Sequence, residues 1–372
     1  MLKRLLPSLS FIMLILLTAC DNTNTPTANN TPIPTPATTR QQSNTTSATM
    51  AIGSFQEYTL PQANSDMMRP AIDHQGHIWF GEMGHNYLAS FDPQTQNFQQ
   101  MTPPRGANGI MGIAVAPDDT IWFAEQYANY IGHYVPTSHH YHIYNLPTLI
   151  APDPSNKNNT LTLPSAPNDI ALDAHGNVWF TEMNADALGR LDTKTGLIKQ
   201  YPISAQKSIQ ALNPYGITID QQGIIWFTES STNRICRLDP ATGDVRLFSM
   251  QGSTSPLMEI ANDQHGSIWA TSFNSGLLLK LNSATGIFTP YNAPYTGNVA
   301  GGSYGLTVTP DGEVWATITA ENVIARLDVT ANHFLYYRIP TPASLPLGIV
   351  MGANHTLWFT EAGSNKIGML KP

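Results

Sequence analysis

An all-β, seven-bladed β-propeller is the fold this sequence predicts, and three observations carry the prediction. All seven tryptophans fall in one recurring motif: IWFGE at 78–82, IWFAE at 121–125, VWFTE at 178–182, IWFTE at 225–229, IWATS at 268–272, VWATI at 314–318 and LWFTE at 357–361. Successive tryptophans stand 43, 57, 47, 43, 46 and 43 residues apart, a period that belongs to propellers and solenoids. Within one period, NPYGITID, IIWFTES, RICRLDP and DVRLFSM are short β-rich segments divided by Gly, Asn and Asp turns. None has helical periodicity, so the unit is a four-stranded antiparallel blade.

The elements follow in chain order. Lys3 and Arg4 precede an apolar run, Leu5 to Leu17, and the run ends in Leu17-Thr18-Ala19-Cys20. That run is too short to span a bilayer, so residues 1–19 read as a signal peptide. The LTAC ending resembles the bacterial lipobox. The resemblance implies that Cys20 is lipidated and anchors the protein to a membrane surface outside the cytoplasm. Only one other cysteine, Cys236, is present, so Cys20 has no evident disulfide role. Residues 20–54 are dominated by Thr, Asn, Pro, Ser and Gln. They cannot bury enough surface to offset chain entropy and are expected to form a disordered tether.

The folded part, 55–372, is expected to begin near Phe55. The last repeat stops after three strands, and FQEYTLP at 55–61 stands alone before the first repeat. The ring therefore closes if the N-terminal segment supplies the fourth strand of the last blade, which also removes exposed sheet edges. The long second interval places an insertion at 148–166, either a lid or a surface decoration.

The net charge is −8 and only 12% of residues are charged. This excludes the basic face that nucleic acid demands. A small-molecule or peptide ligand and a monomeric propeller are the expectations that remain.

The unit P-x-G-I, D-x-x-G-x-I-W-F-T-E, N-x-I-G/C-R-L-D-P-x-T-G resembles the virginiamycin B lyase (streptogramin lyase) family over the whole of 55–372. The best matches are APNDIALDAHGNVWFTEMNADALGRLDTKTGLIKQYPI and NPYGITIDQQGIIWFTESSTNRICRLDP. The resemblance implies Mg²⁺-assisted elimination at an ester, with a histidine in a P-H-G-I context as base and a P-Y-G-I tyrosine lining the site. The corresponding position lies eleven residues before each tryptophan and holds Met68, Met111, Asn168, Tyr215, Met258, Tyr304 and Leu347. Tyr215 and Tyr304 fit the tyrosine context; no position holds histidine. Loss of a general base lowers an elimination by roughly 10²–10⁴-fold.

Candidate groups follow. Glu82, Glu125, Glu182, Glu229 and Glu361 recur three residues after tryptophan. One reading makes them a carboxylate ring able to bind Mg²⁺ or Ca²⁺, with Glu182, Glu229 and Glu361 as metal candidates. The other makes each a scaffold acceptor for the next blade's backbone. Blades five and six lose Phe and Glu together, leaving Ala270, Ala316, Ser272 and Ile318. That loss must open space or be compensated. A cleft walled by Tyr215, Met258, Tyr304 and Leu347 is expected there, with Met111 and Asn168 as further ligand contacts and Glu259 as a candidate base. His74, His175, His265 and His355 fall in hairpin turns. His140 and His142 alternate onto one face of an outer strand as a possible metal pair.

Three functions are open to this sequence. They are a ligand-binding propeller of streptogramin-lyase type, a Mg²⁺-dependent carbon–oxygen lyase acting on cyclic esters, and a lactonase-like metal hydrolase of the gluconolactonase type.

Overall fold

The computed structural model describes residues 46–105, 109–153, 156–203, 212–250, 255–294 and 302–372, without the side chains of 151–158. The expected signal peptide, Cys20 and most of the expected tether lie outside the described residues. Among the described residues no helix is long and apolar enough to cross a membrane.

Seven antiparallel sheets follow one another in sequence. Blade four is the simplest: Pro214–Ile219, Ile225–Glu229, Arg234–Leu238 and Val245–Ser249, paired in order. The innermost strands are Met67–Ile72, Ile110–Val115, Pro167–Leu172, Pro214–Ile219, Leu257–Asn262, Ser303–Val308 and Pro346–Met351. Each packs beside the next, and the seventh packs beside the first, so they form a closed ring. In the last blade the fourth strand is Ser54–Thr59, antiparallel to Lys366–Lys371. The expected closure by the N-terminal segment is present.

Each tryptophan is a wedge. Trp179 of blade three packs with Ile217, Ile225 and Phe227 of blade four, and Trp358 of blade seven packs with Ile78 and Phe80 of blade one. Four indole nitrogens, those of Trp79, Trp179, Trp226 and Trp269, donate to the aspartate six residues earlier, in the D-x-x-G turn. Trp122 has no such aspartate and instead stacks on His133, with ring centroids 4.0 Å apart.

The motif threonine is the latch between blades. Thr181 accepts from Asp169 N–H in its own blade and donates to the Tyr215 carbonyl of the next. Thr228, Thr271 and Thr317 repeat the bridge, and Thr360 donates to Met68 O, tying blade seven to blade one. A hydroxyl is suited to this post because it is both donor and acceptor.

Three sequence expectations change. Part of the predicted tether is structured: Ser47–Met50 pairs in parallel with His333–Arg338 as a fifth strand of blade six. There Ser47 and Thr49 contact the two ring nitrogens of His333 at 2.7 and 2.9 Å. The 148–166 insertion is a β-hairpin, Thr148–Asp153 with Asn156–Pro164, that forms its own two-stranded sheet, with Ile150 and Leu161 exposed. Finally, the Phe-to-Ala changes are compensated locally. Phe123, Phe180 and Phe359 each face a glycine on the third strand, and a Cβ there would come within 2.1–2.2 Å of the ring. Ala270 instead faces Leu279, and Ala316 faces Ala325, which lies opposite Tyr336. The missing rings are replaced from the partner strands.

Candidate functional site

The site grows from one position of the innermost strand. Each strand has an irregular register at its second and third residues, for example between Pro214 and Ile217. The third residue is glycine in four blades: Gly112, Gly216, Gly305 and Gly348. Added Cβ atoms would meet the next blade's backbone: Asn168 O at 2.8 Å for Gly112, Met258 O at 2.6 Å for Gly216, Leu347 O at 2.1 Å for Gly305 and Met68 O at 2.5 Å for Gly348. Neighbouring inner strands are too close there for side chains. In blades one, three and five the same position holds Arg69, Asp169 and Glu259. Alternation with glycine leaves these three side chains room, and they meet across the ring.

Arg69 Nε donates to Glu259 Oε2 at 2.9 Å, and Nη2 lies 2.7 Å from Oε1. This is a two-point ion pair in which the Nη2 arm is close to Oε1 without forming a hydrogen bond. Arg69 Nε also lies 3.5 Å from Asp169 Oδ1, while Asp169 Oδ2 accepts from Ile217 N–H at 3.0 Å. Residues from blades one, three and five can touch only across the central axis. The network is therefore axial, and it is nearly sealed, with Arg69, Asp169 and Glu259 at 8, 8 and 9% exposure.

Two tyrosines complete it. The Tyr215 and Tyr304 hydroxyls, from blades four and six, are 2.6 Å apart, and the Arg69 guanidinium lies 5.0 Å from the Tyr215 ring centroid. Burial raises the Tyr215 and Tyr304 hydroxyls, so both are protonated at neutral pH. Burial also pushes the Glu259 carboxyl up to about 7, against the opposing pull of Arg69 and with help from Asp169. On Arg69 burial acts downward, but the two carboxylates outweigh it and hold the guanidinium well above its ordinary value.

The other sequence-predicted residues are placed as follows. Met258 and Leu347 are buried beside the tyrosines' strands, and Met68 and Met111 are buried too. Phe273 lies edge-on to Tyr304, with ring centroids 5.8 Å apart. Asn168 is fully buried; it donates to Tyr215 O at 3.0 Å and accepts from Gln126. The structure thus brings Tyr215, Tyr304 and Glu259 together around Arg69, with Asn168 on the tyrosine backbone.

The motif glutamates are not brought together. Glu82 accepts from Gln100 and Glu182 from Gln200, each on its own blade's outermost strand. Glu229 pairs with Arg234 at 2.7 Å and with Thr232, and Glu361 accepts from Ser364 at 2.7 Å. These partners lie within the blade, not on a neighbour's backbone. Burial pushes Glu182 and Glu361 up to about 7. In blades five and six acid and partner disappear together, with Ser272 and Ile318 in place of Glu and Pro290 and Tyr336 in place of Gln.

Among the described residues, the one cluster of three metal-capable groups is Asp311, Glu313 and His355 in outer turns. Its Glu313 is already paired with Arg326 and Trp315. His74, His175 and His265 are exposed turn residues. His140 and His142 share a face with centroids 4.6 Å apart, and His142 stacks on His133.

Sequence reasoning found Glu259 and the tyrosines but missed Arg69 and Asp169. Their signal is present, one residue past the tyrosine position, wherever the repeat glycine is replaced by a charged side chain.

Comparison with known proteins agrees with this architecture. The sequence model of the Virginiamycin B lyase family matches residues 208–372. A streptogramin B lyase structure superposes with a TM-score of 0.73 at 25% identity, covering 86% of this chain and 97% of that one. Virginiamycin B lyase from Staphylococcus aureus gives 0.74 at 24%, covering 86% and 100%. A catalytically inactive form of the S. aureus enzyme with quinupristin gives 0.73 at 24% over the same shares. No curated protein matches the sequence. The chain is a β-propeller similar to the virginiamycin B lyases, and its residues 208–372 match the sequence model of that family.

Proposed function

We propose that this propeller binds a small apolar or peptidic ligand at its axis and does not perform the family's elimination. The observation that carries the reading is the axial network itself. Where the family resemblance calls for an imidazole base, this chain has Tyr215, Tyr304, Asn168, three methionines and Leu347, closed around Arg69, Asp169 and Glu259. Met and Tyr lining suits an adaptable contact with an apolar ligand. By the same reading the protein acts as a monomer outside the cytoplasm, with residues 1–19 removed and lipidated Cys20 as its only membrane attachment.

The Mg²⁺ that the family implies does not fit the described residues. The two axial carboxylates already face a guanidinium, which repels a second cation. Glu182, Glu229 and Glu361 stand in separate blades with their own partners. The lactonase-like alternative meets the same obstacle, because Arg69 already supplies the positive charge between Asp169 and Glu259. One observation favours the lyase alternative: Glu259 at about 7 matches what a general base needs at neutral pH.

Quinupristin, with and without Mg²⁺, separates these readings by chromatography and mass analysis. Ligand that is bound and recovered unchanged supports the proposal. A linear product of unchanged mass overturns it in favour of the lyase, and a product heavier by one water favours the hydrolase.

A further inference from the structure

The axial guanidinium is only half used. Its Nε and Nη2 edge faces Glu259, while Nη1 is buried with no acceptor. The side chain carrying it is 9% exposed. A buried donor without a partner is uncommon and costly, and it normally marks a bound water or ligand group. The Tyr215–Tyr304 contact leaves a second donor: one hydroxyl donates to the other, and the accepting tyrosine keeps its own proton.

The charge at the axis decides what can answer these donors. Arg69 is already opposed by two carboxylates, so the cluster sums to −1 with both ionised and to zero with Glu259 protonated. An incoming carboxylate or phosphate would meet no net positive charge in a nearly sealed, weakly polarisable setting, where charge is penalised most. A neutral acceptor satisfies the donor without adding charge.

We propose that the free edge of Arg69, backed by the Tyr215–Tyr304 pair, is a recognition subsite for a neutral carbonyl oxygen, as carried by an ester, lactone or amide. The subsite rests on the reading that the propeller binds a small ligand at its axis, and it names the group by which that ligand is held. Arg69 is a binding residue in this account, and Glu259 and Asp169 are positioning residues that fix its plane and cancel its charge.

The test uses the full-length wild-type chain labelled with ¹⁵N-arginine, with the Arg69 side-chain resonances assigned by their loss in Arg69→Lys. N-methylacetamide and acetate are titrated separately. The expected result is a saturable shift of the Arg69 Nη signals with N-methylacetamide and none with acetate, weakened about 2- to 10-fold when Tyr215→Phe and Tyr304→Phe are combined, as loss of one hydrogen bond implies. A saturable shift with acetate, or none with either probe, overturns the subsite. Quinupristin added to the same sample keeps the two ideas apart. If it binds while N-methylacetamide leaves Arg69 untouched, the subsite falls and the ligand-binding reading stands. If N-methylacetamide saturates Arg69 while quinupristin does not bind, the subsite stands and that class of ligand falls.

Discussion

Blades four and five are neighbours that solve the same packing problem with opposite residues. Blade four keeps Gly216 at the axis, sets Phe227 against Cys236 in its core and pairs Glu229 with Arg234 at its edge. Blade five has Glu259 at the axis, sets Ala270 against Leu279, and replaces the acid by Ser272, which contacts Ser275. The core exchange is balanced inside the blade, one strand away. The axial exchange is balanced only by Asp169, two blades back, and by Arg69, three blades on around the ring. Changes answered locally are drift within a scaffold. A change answered across the ring must have been accommodated by the whole molecule, and that is where a specific site is built.

A substitution should cost most at the axis. Arg69→Met leaves two carboxylates buried without a counter-charge, and breaking a buried ion pair this way costs about 3–5 kcal/mol. Denaturant unfolding reads the loss. Replacing Arg69, Asp169 and Glu259 together by glycine restores the pattern of the other four blades and removes every unpaired charge. It should destabilise less than Arg69→Met alone, and a larger loss would show that the network carries stability the glycine blades do not have.

The interblade latch comes next. Thr228→Val strands Gly216 N–H and Met258 O, both buried, and should cost about 1–3 kcal/mol. Thr181→Val should match it, because every latch is the same bond; unequal losses would mean the blades are not equivalent.

The core exchange is sharper as a pair than as singles. Ala270→Phe alone overpacks blade five by about 1–3 kcal/mol. Adding Leu279→Gly reproduces the Phe-over-Gly pairing of blade three and should recover most of the loss. If the double variant were no better than the single, the compensation would lie elsewhere.

The smallest effect is the dependence on pH. Glu182, Glu259 and Glu361 are raised from 4.5 to about 7, chiefly by burial. The native state therefore holds protons that the unfolded chain has released between pH 4.5 and 7. Their contribution is fully present below the unfolded value and is lost as pH rises through 7. Stability should fall on the order of 1 kcal/mol per group between pH 6 and 7. Glu182→Gln should flatten the curve without disturbing the axis, and a curve that rises over this range would contradict the assignment.

Much of the fold is legible in the sequence because its causes are local and repeated. The tryptophan spacing, the D-x-x-G turn and the lone FQEYT segment each fix an element without knowledge of its neighbours. The strand at Ser47–Met50 is not legible, since its pairing is backbone hydrogen bonding by a Ser/Thr-rich run with no apolar pattern. Its side-chain anchor, His333, lies nearly the whole chain away. The glutamates are half legible: Gln100 and Gln200 follow Glu82 and Glu182 by 18 residues each, a spacing that carries the chain from the second strand of a blade to its fourth. The site was readable only at its tyrosines and Glu259. Arg69 sits 190 residues from Glu259, and nothing local in M-M-R-P announces a partner. The clue is the absence of glycine in alternate repeats.

A double-mutant cycle between Arg69→Met and Glu259→Met, read by denaturant unfolding, measures whether the two side chains are coupled across the axis. Two blades joined across the axis by one buried ion pair predict a coupling of at least about 2 kcal/mol, with the double variant more stable than Arg69→Met. Losses that add to within about 0.5 kcal/mol would contradict the axial network.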